Sequence, residues 1–436
     1  MASAKELPRG VWARSSRVAW LATKVAGHEV RHKMKRALGG VASLEEATAT
    51  RIAQARLMVE SLGRMKGALM KAGQMLSIDA SDWLPKEAQD ILTSLQGESA
   101  PVPFETLKRV IEEDLGKDAL LRFDAFDEAP VASASMGQVY RARRGEELAV
   151  KVQYPGVSES IDSDVEALEK LGAGMMTLSG RRIDLKELFG ELKRVLHDEA
   201  DYERERRYLE TFREKLHGDP LFIVPQSHAD LSSGRVLTTS WESGTPLGVW
   251  LRAAPAERAV EVATQLLDLY CREFFEWGLV QTDPNPANFL VRDDGRIVLL
   301  DFGATVEYSA EFRSAYGSLL RTVQSASHEE VIERGIAFEL IDGRESDEAK
   351  ALFVDMLRVS VAPFSTTQQP FHFRDTDYNA RSREATTDFI RSLKYSAPPK
   401  HLVFLHRKLG GLFQLLKRVD ATLDLRPYWE RMVGLV

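Results

Sequence analysis

Cysteine is nearly absent from this chain of 436 residues, whose single thiol is that of Cys271. One cysteine can form no internal disulfide bond, and such usage is typical of a reducing compartment. The residue lies within an apolar helical pattern, so we expect its thiol to be buried in a core. The sequence also lacks any run of about eighteen apolar residues, which predicts that no helix spans a membrane. Charges interrupt the first seventeen residues, so a secretory signal peptide is not expected.

An excess of positive charge is also missing. The 58 Lys and Arg residues are outnumbered by 65 Asp and Glu residues, and the formal net charge is −7. A chain of this charge has no general basic surface for a phosphate backbone, so no nucleic-acid partner is predicted. The hydrophobic content of 44% and charged content of 28% are typical of a globular protein. The length is sufficient for two or three packed units.

The segment 1–42 departs from this average because it is strongly basic. Nine Lys or Arg residues occur between Met1 and Leu38, against two acidic residues, Glu6 and Glu29. With its interleaved tryptophans, the segment fits a basic helix that lies on an anionic membrane surface. It fits equally well an ordinary helix or tail with a solvated charged face. The predicted location is the cytoplasm, with peripheral contact at the inner membrane under the first interpretation.

The segment 43–120 is predicted to form a helical extension ahead of the remaining chain. Apolar residues recur at three- and four-residue steps within residues 43–78, which indicates one apolar helix face. The motif Lys71-Ala-Gly-Gln74 lies within it. Residue chemistry alone interprets this motif as a solvated face beside a close helix contact. A further helix is predicted from Phe104 to Leu115.

Strand patterns replace helical ones in the segment 121–242. The stretch 130–142 predicts two strands around a tight loop, and the stretch 148–152 predicts the next strand. Lys151 lies between apolar neighbours of that strand, where a lysine is costly unless it meets an anion. The lysine is therefore a candidate phosphate contact.

Two connections of this segment are candidates for contacts with a nucleotide. The first is poor in glycine, since only Gly137 remains where a phosphate-covering loop usually has several. It consists instead of Ala132, Ser133, Ala134 and Ser135. Their Cβ atoms should stiffen the loop and restrict how it covers phosphates. The second connection is a predicted hinge to the segment 243–436, and its main-chain groups could face an adenine edge. Its residues are Thr239, Ser240, Trp241 and Glu242.

A hairpin is predicted within the stretch 277–304. Two apolar runs, 289–291 and 297–300, are joined at Asp294-Gly295, which is a strong signal for a tight turn. A hairpin places its two ends side by side, so Asn288 and Asp301 should converge. Their side-chain oxygens suit a magnesium ion that also carries nucleotide phosphates.

Three acidic residues remain to be placed. Asp283 lies five residues before Asn288, where protein kinases have their base. A helical run is predicted over residues 185–215, and its Glu205 is chosen by position to pair with Lys151, as a kinase fold requires. Glu199 and Asp201 of the same run are then left without a role.

The sequence lacks the long activation segment of protein kinases. A helix is predicted to begin near Ser309, only a few residues after Gly303, with Ser309 as its N-cap. The tripeptide Ala-Pro-Glu, with which such a segment ends, does not follow. A peptide-docking platform is therefore not expected.

These motifs together resemble the UbiB/ADCK family of atypical kinases over nearly all of the chain after about residue 50. Lys71-Ala-Gly-Gln74 is similar to the family's Lys-x-Gly-Gln motif, and Ala132-Ser-Ala-Ser135 to its alanine-rich loop, with Ser133 where alanine is usual. Glu199-Ala-Asp201 matches its Glu-x-Asp motif. Gln281-Thr-Asp-Pro-Asn285, with Asp301-Phe-Gly, most resembles the branch linked to coenzyme Q.

The resemblance implies an α+β, two-lobed protein-kinase-like fold with a helical N-terminal extension. The N-lobe would be 121–242 and the predominantly helical C-lobe 243–436. It further implies an atypical kinase or ATPase that binds ATP or ADP with Mg²⁺ and supports ubiquinone biosynthesis. The implied partners are a nucleotide, an isoprenoid lipid and quinone-biosynthesis proteins.

The family's roles carry over residue by residue. Lys151 would contact phosphates and pair with Glu205, Asp283 would be the base position, and Asn288 with Asp301 would hold magnesium. The extension would cover the site, and its contacts would involve Lys71, Gln74, Glu199 and Asp201. Two other functions stay open: transfer of the phosphoryl group to a small molecule or protein, and a non-catalytic scaffold gated by nucleotide.

Overall fold

The computed structural model describes residues 102–179, 186–396 and 400–434. The basic segment 1–42, most of the predicted extension, and Lys71 and Gln74 lie outside the described residues. The described chain divides into two compact units. The first takes in the described residues as far as Gly172, with Leu192–Ala200 and Asp230–Thr238. The second takes in the described parts of Ala173–Glu191, Asp201–Ala229 and Thr239–Val436.

The described chain contains the following helices and strands, with each type numbered in chain order. The helices are α1 (Phe104–Leu115), α2 (Val157–Ser179), α3 (Lys186–Glu199), α4 (Tyr202–Lys215), α5 (Leu247–Ala253), α6 (Ala256–Cys271), α7 (Ala310–Ser325), α8 (His328–Ala337), α9 (Asp347–Val361), α10 (Thr376–Ser392), α11 (Lys400–Arg418) and α12 (Arg426–Val433). The strands are β1 (Ala125–Ser133), β2 (Gly137–Arg144), β3 (Glu146–Gln153), β4 (Phe222–Ile223), β5 (Val236–Ser240), β6 (Thr245–Pro246), β7 (Leu279–Gln281), β8 (Phe289–Val291), β9 (Ile297–Leu299), β10 (Thr305–Glu307), β11 (Phe371–His372) and β12 (Thr422–Leu423).

The first unit is built on a four-stranded sheet with the order β1-β2-β3-β5. Strand β3 alternates as a half-buried strand does, since Leu148, Val150 and Val152 are fully buried, whereas Lys151 is only partly buried. Helix α1 packs on β3. The helix predicted from Phe104 to Leu115 is confirmed, as is the strand that carries the lysine.

The second unit is mainly helical and holds three small sheets. They are β4-β9-β8-β6, β10-β7 and β11-β12. Its core gathers aromatic side chains from several helices and loops, and Phe212, Phe274 and Phe302 in it are almost fully buried. Cys271 is fully buried in the same core, and burial raises the pKa of its thiol to about 12. The expected core thiol is confirmed.

The prediction of one helix over residues 185–215 is wrong, because the structure has two helices there. Helix α3 ends at Glu199, and α4 begins at Tyr202. Asp201 is the N-cap of α4, and its side chain accepts a hydrogen bond from the Arg204 N–H at 3.1 Å. Aspartate competes poorly in a helix interior and well at a helix start, which explains the break.

No helix in the described part of the chain is long and apolar enough to cross a membrane.

Gly278 controls how the chain enters β7. Helix α6 continues into a π-helical turn, Arg272–Trp277, and Gly278 ends this turn in the left-handed region with a φ of 66°. A Cβ at this position would lie 2.5 Å from the carbonyl oxygen of Tyr308. Only glycine tolerates both the φ and the close approach.

We therefore expect the Gly278→Ala variant to be less stable by about 2–4 kcal/mol, because the left-handed backbone and the clash both oppose alanine. Urea unfolding of the whole chain would measure the loss. The matched control is Gly190→Ala in α3, where a Cβ meets no atom within 4 Å. That change should raise stability by about 0.5–1 kcal/mol. Equal urea midpoints for wild type and Gly278→Ala would contradict the conclusion that position 278 requires glycine.

Candidate functional site

The predicted hairpin is confirmed. Strands β8 and β9 pair antiparallel, with Phe289 opposite Leu299, and Gly295 in the turn has a φ of 88°. At the open end of this hairpin the Leu300 N–H donates to the Asn288 carbonyl at 3.0 Å. Asn288 therefore lies across from the residue that precedes Asp301.

Asn288 and Asp301 line one small cavity in the second unit. The other lining residues are Glu273, Gln281, Phe289, Leu299, Phe302 and Lys408. The Oδ1 atom of Asp301 accepts the Gly303 N–H at 3.0 Å, which fixes this carboxylate beside the cavity. The Asn288 Nδ2 atom is buried without a hydrogen-bond partner among the described residues. Within the described residues this amide nitrogen thus has unused hydrogen-bonding capacity, which a bound ligand or water would satisfy.

The donor set fits magnesium. Amide and carboxylate oxygens are ligands that Mg²⁺ accepts, and it commonly uses only one or two protein groups together with phosphates and water. The described residues contain no cluster of three or more His, Cys, Asp or Glu side chains that would make a closed metal cage. Asn288 and Asp301 are therefore suited to a metal that a phosphate ligand completes.

Asp283 is also buried in the second unit, and it forms an ion pair. The Arg407 Nη2 atom donates to its Oδ1 atom at 3.0 Å, and the two side chains are only 7% and 2% exposed. The next residue upstream, Thr282, donates both its N–H and its hydroxyl to the Ala304 carbonyl, at 3.0 and 2.7 Å. The segment that carries Asp283 is thus tied both to α11 and to the chain that follows Asp301.

Helix α11 packs directly against this segment. A Cβ on Gly411 would lie 2.3 Å from the Pro284 Cβ, so glycine is needed for the approach. Five residues earlier on the same helix, His406 forms a hydrogen bond with the Tyr316 hydroxyl at 3.1 Å.

A second buried pair lies beside the first. The Lys408 Nζ atom is 3.7 Å from the Glu273 Oε2 atom and donates to the Gln281 Oε1 atom at 3.0 Å. Burial raises the pKa of the Glu273 carboxyl from 4.5 to about 7, and the Lys408 charge opposes this rise. The side chains of Glu273 and Lys408 are 1% and 3% exposed.

The sequence interpretation gave Glu273, Arg407 and Lys408 no role. A signal was available, since each is a charged residue inside an otherwise apolar helical pattern. The argument that a charge between apolar neighbours needs a partner, applied above to Lys151, applies to them equally.

The Asp301-Phe-Gly segment is also tied to α4. Arg204 donates from its guanidinium to the Gly303 carbonyl at 3.1 Å and to the Thr305 carbonyl at 2.8 Å. The neighbouring Glu205 is buried. The helix that carries Glu205 is thereby fixed to the backbone that follows Asp301.

In the first unit, the small-residue loop closes the β1–β2 hairpin. Ala132 and Ser133 belong to β1, where Ser133 lies opposite Gln138. The Ala134 N–H donates to the Gly137 carbonyl at 2.9 Å, and Ser135 lies within the turn. The predicted order of strand, tight loop and strand is confirmed.

The predicted adenine contact segment is held by several hydrogen bonds of its own. Thr239 pairs with Ser227, and the Ser240 N–H donates to the Gln226 carbonyl at 2.8 Å. The Ser240 hydroxyl donates to Glu242 at 3.1 Å. Contact with an adenine would therefore depend on main-chain groups other than the Ser240 N–H.

Other expected contacts stay predictions. Lys151 belongs to the first unit and Glu205 to the second, and their pairing stays a prediction. Glu199, which is buried, and Asp201 are also assigned to different units. Their expected partners, Lys71 and Gln74, lie outside the described residues.

A sheet-bearing unit, a mainly helical unit and the Asp283, Asn288 and Asp301 set define a protein of the kinase-like class. Residues 94–334, more than half of the chain, match the model of the ABC1 atypical kinase-like domain. The chain belongs to this family, and the resemblance inferred from the motifs is confirmed.

Two relatives and one solved structure give the extent of the likeness. The mitochondrial atypical kinase coq-8 of Caenorhabditis elegans is 32% identical over 389 residues, which cover 87% of this chain and 50% of that protein. The chain thus spans about half the length of that relative. The mitochondrial atypical kinase COQ8 of Saccharomyces cerevisiae is 31% identical, covering 86% of this chain and 75% of that protein. The erythromycin complex of Rv3197 from Mycobacterium tuberculosis matches with a TM-score of 0.59 and 26% identity, covering 90% of this chain and 98% of that chain.

The raised pKa of Glu273 predicts a pH-dependent contribution to stability. A carboxyl whose pKa is higher in the folded state adds stability below its unfolded pKa, and this is lost as the pH rises through about 7. The loss should amount to roughly 3 kcal/mol. Glu273→Gln should remove it, so the variant should lose less unfolding free energy than wild type between about pH 5 and 8.

Urea unfolding at the two pH values measures this difference. The control is Glu276→Gln on the same turn, where a half-exposed carboxylate pairs with Arg431 at 2.7 Å. The Glu276→Gln variant should lose as much unfolding free energy between the two pH values as wild type does. Parallel profiles for wild type and Glu273→Gln would show that Glu273 is not the titrating group.

Proposed function

We propose that this protein is an atypical kinase-like ATPase that binds Mg-ATP or Mg-ADP and supports ubiquinone biosynthesis. The observation that carries the proposal is the hairpin that brings Asn288 and Asp301 to one cavity. These two side chains would hold Mg²⁺, which when bound would neutralise charge on the nucleotide phosphates. Lys151 would contact the same phosphates, with Glu205 as its partner.

The surroundings of Asp283 favour hydrolysis over transfer to a protein. One carboxylate oxygen is already engaged by the buried Arg407 guanidinium. The short path from Gly303 through β10 to the Ser309 cap of α7 leaves no long segment on which a peptide could dock. An Asp283 carboxylate held in this way is suited to orienting a water molecule.

The quinone context of the proposal comes from the family. The two relatives described above are named as mitochondrial atypical kinases, coq-8 and COQ8. The UbiB/ADCK resemblance links such proteins to the synthesis of ubiquinone and related isoprenoid lipids. The nucleotide would then drive a lipid-directed step together with quinone-biosynthesis proteins.

Asp301→Asn tests the nucleotide and metal part of the proposal. The change removes the charge that would bind Mg²⁺, so affinity for ADP in the presence of Mg²⁺ should fall at least about tenfold. Isothermal titration calorimetry with and without Mg²⁺ measures this. Asp294→Asn at the exposed hairpin turn is the control, because Asn-Gly preserves the turn. Unchanged affinity in Asp301→Asn would reject the metal assignment.

Two further measurements test turnover and context. Radiolabelled ATP incubated with the protein and a cell extract should yield free phosphate and no labelled acceptor. A discrete labelled product would instead establish phosphoryl transfer. Cells that lack the protein should lose quinone, and the wild-type chain should restore it where Asp301→Asn does not. Normal quinone content in the deletion strain would reject the pathway assignment.

A further inference from the structure

Glu273 and Lys408 form a buried pair of opposite charges within the second unit. Glu273 lies on the π-helical turn Arg272–Trp277 that follows α6, and Lys408 lies on α11. Their charged atoms are 3.7 Å apart, and both side chains are almost fully enclosed. π-Helical turns are rare and occur frequently at functional sites.

Stability does not account for such a pair. Removing two charges from water is expensive, and replacing a buried ion pair by apolar residues is often neutral or stabilising. The pair therefore needs another explanation, and its contacts supply one.

Lys408 contacts the two segments that carry the proposed site residues. Its Nζ atom donates to the Gln281 Oε1 atom at 3.0 Å, and Gln281 lies two residues before Asp283. The same atom lies 5.6 Å from the ring centroid of Phe289, which directly follows Asn288. One ammonium group thus contacts the chain on both sides of the Asp283–Asn288 segment.

The pair also shares a cavity with the proposed metal ligands. Glu273, Gln281 and Lys408 line the cavity that Asn288 and Asp301 line. When Glu273 is ionised, its charge and that of Lys408 cancel there, so the wall then adds no net charge next to a bound cation. If Glu273 were neutral, the buried ammonium would repel that cation through a medium that screens poorly.

We infer that Glu273 and Lys408 are positioning residues for the metal site. Lys408 holds the strand that leads to Asp283, and Glu273 balances the ammonium so that Mg²⁺ can bind between Asn288 and Asp301. This inference rests on the proposed function, because it concerns the same Mg-nucleotide site. According to this inference, the π-helical turn and α11 contribute side chains of opposite charge, Glu273 and Lys408, to the wall of that site.

Glu273→Gln tests the inference because it keeps the shape and removes one charge. At about pH 8, the Mg²⁺ concentration that half-saturates ADP binding should rise on the order of tenfold. Glu273→Gln with Lys408→Met removes both charges and should return this concentration to within about threefold of wild type. Glu276→Gln, three residues along the same turn, should match wild type.

The readouts are calorimetric ADP binding over a Mg²⁺ series and the thermal unfolding midpoint of the nucleotide-free protein. A merely structural role would lower the unfolding midpoint in both the single and double variants and leave the Mg²⁺ requirement unchanged. That result would overturn the inference. If Glu273→Gln fails to fold, the double variant Glu273→Gln with Lys408→Met tests the inference instead. A Mg²⁺ requirement for ADP binding far above that of wild type in this double variant would overturn the charge-balance argument.

The proposed function is tested separately in the same series. Wild-type protein that binds no nucleotide at any Mg²⁺ concentration would overturn both the proposed function and this inference. Wild-type protein that binds Mg-ADP, with Glu273→Gln indistinguishable from it, would overturn the inference alone. A raised Mg²⁺ requirement that the double variant reverses supports it.

Discussion

The antiparallel pairing of β8 with β9 is the interaction on which the site depends. Three residue pairs and one hydrogen bond, from the Leu300 N–H to the Asn288 carbonyl, bring the two ends of the hairpin together. Backbone hydrogen bonds fix the spacing between paired strands within narrow limits. An amide and a carboxylate that are thirteen residues apart in sequence thereby face one cavity.

Other residues of the second unit stabilise this arrangement through hydrogen bonds and ion pairs. Arg204 fixes the backbone after Asp301, and Thr282 joins that backbone to the segment of Asp283. Helix α11 contributes Arg407 to Asp283 and Lys408 to Gln281. The two buried cations of α11 are each paired with an acidic side chain, Arg407 with Asp283 and Lys408 with Glu273, so the position of this helix is part of the site's chemistry.

Local features of the structure could be predicted from the sequence. The Asp294-Gly295 turn, the strand that carries Lys151 and the core position of Cys271 each depend on neighbouring residues alone. The break at Asp201 was missed because the capping role of an aspartate was outweighed by a continuous helical pattern. The contacts of Arg407 could not be predicted, because 124 residues separate it from Asp283 and no local pattern encodes that distance.

Anomalous scattering from Mn²⁺ tests the central claim most directly, with crystals of the full chain grown in the presence of ADP and this ion. We expect an anomalous peak within about 2.5 Å of side-chain oxygens of both Asn288 and Asp301, with the remaining ligands from phosphate and water. A peak bound elsewhere, or ADP bound with no metal at this pair, would contradict the account.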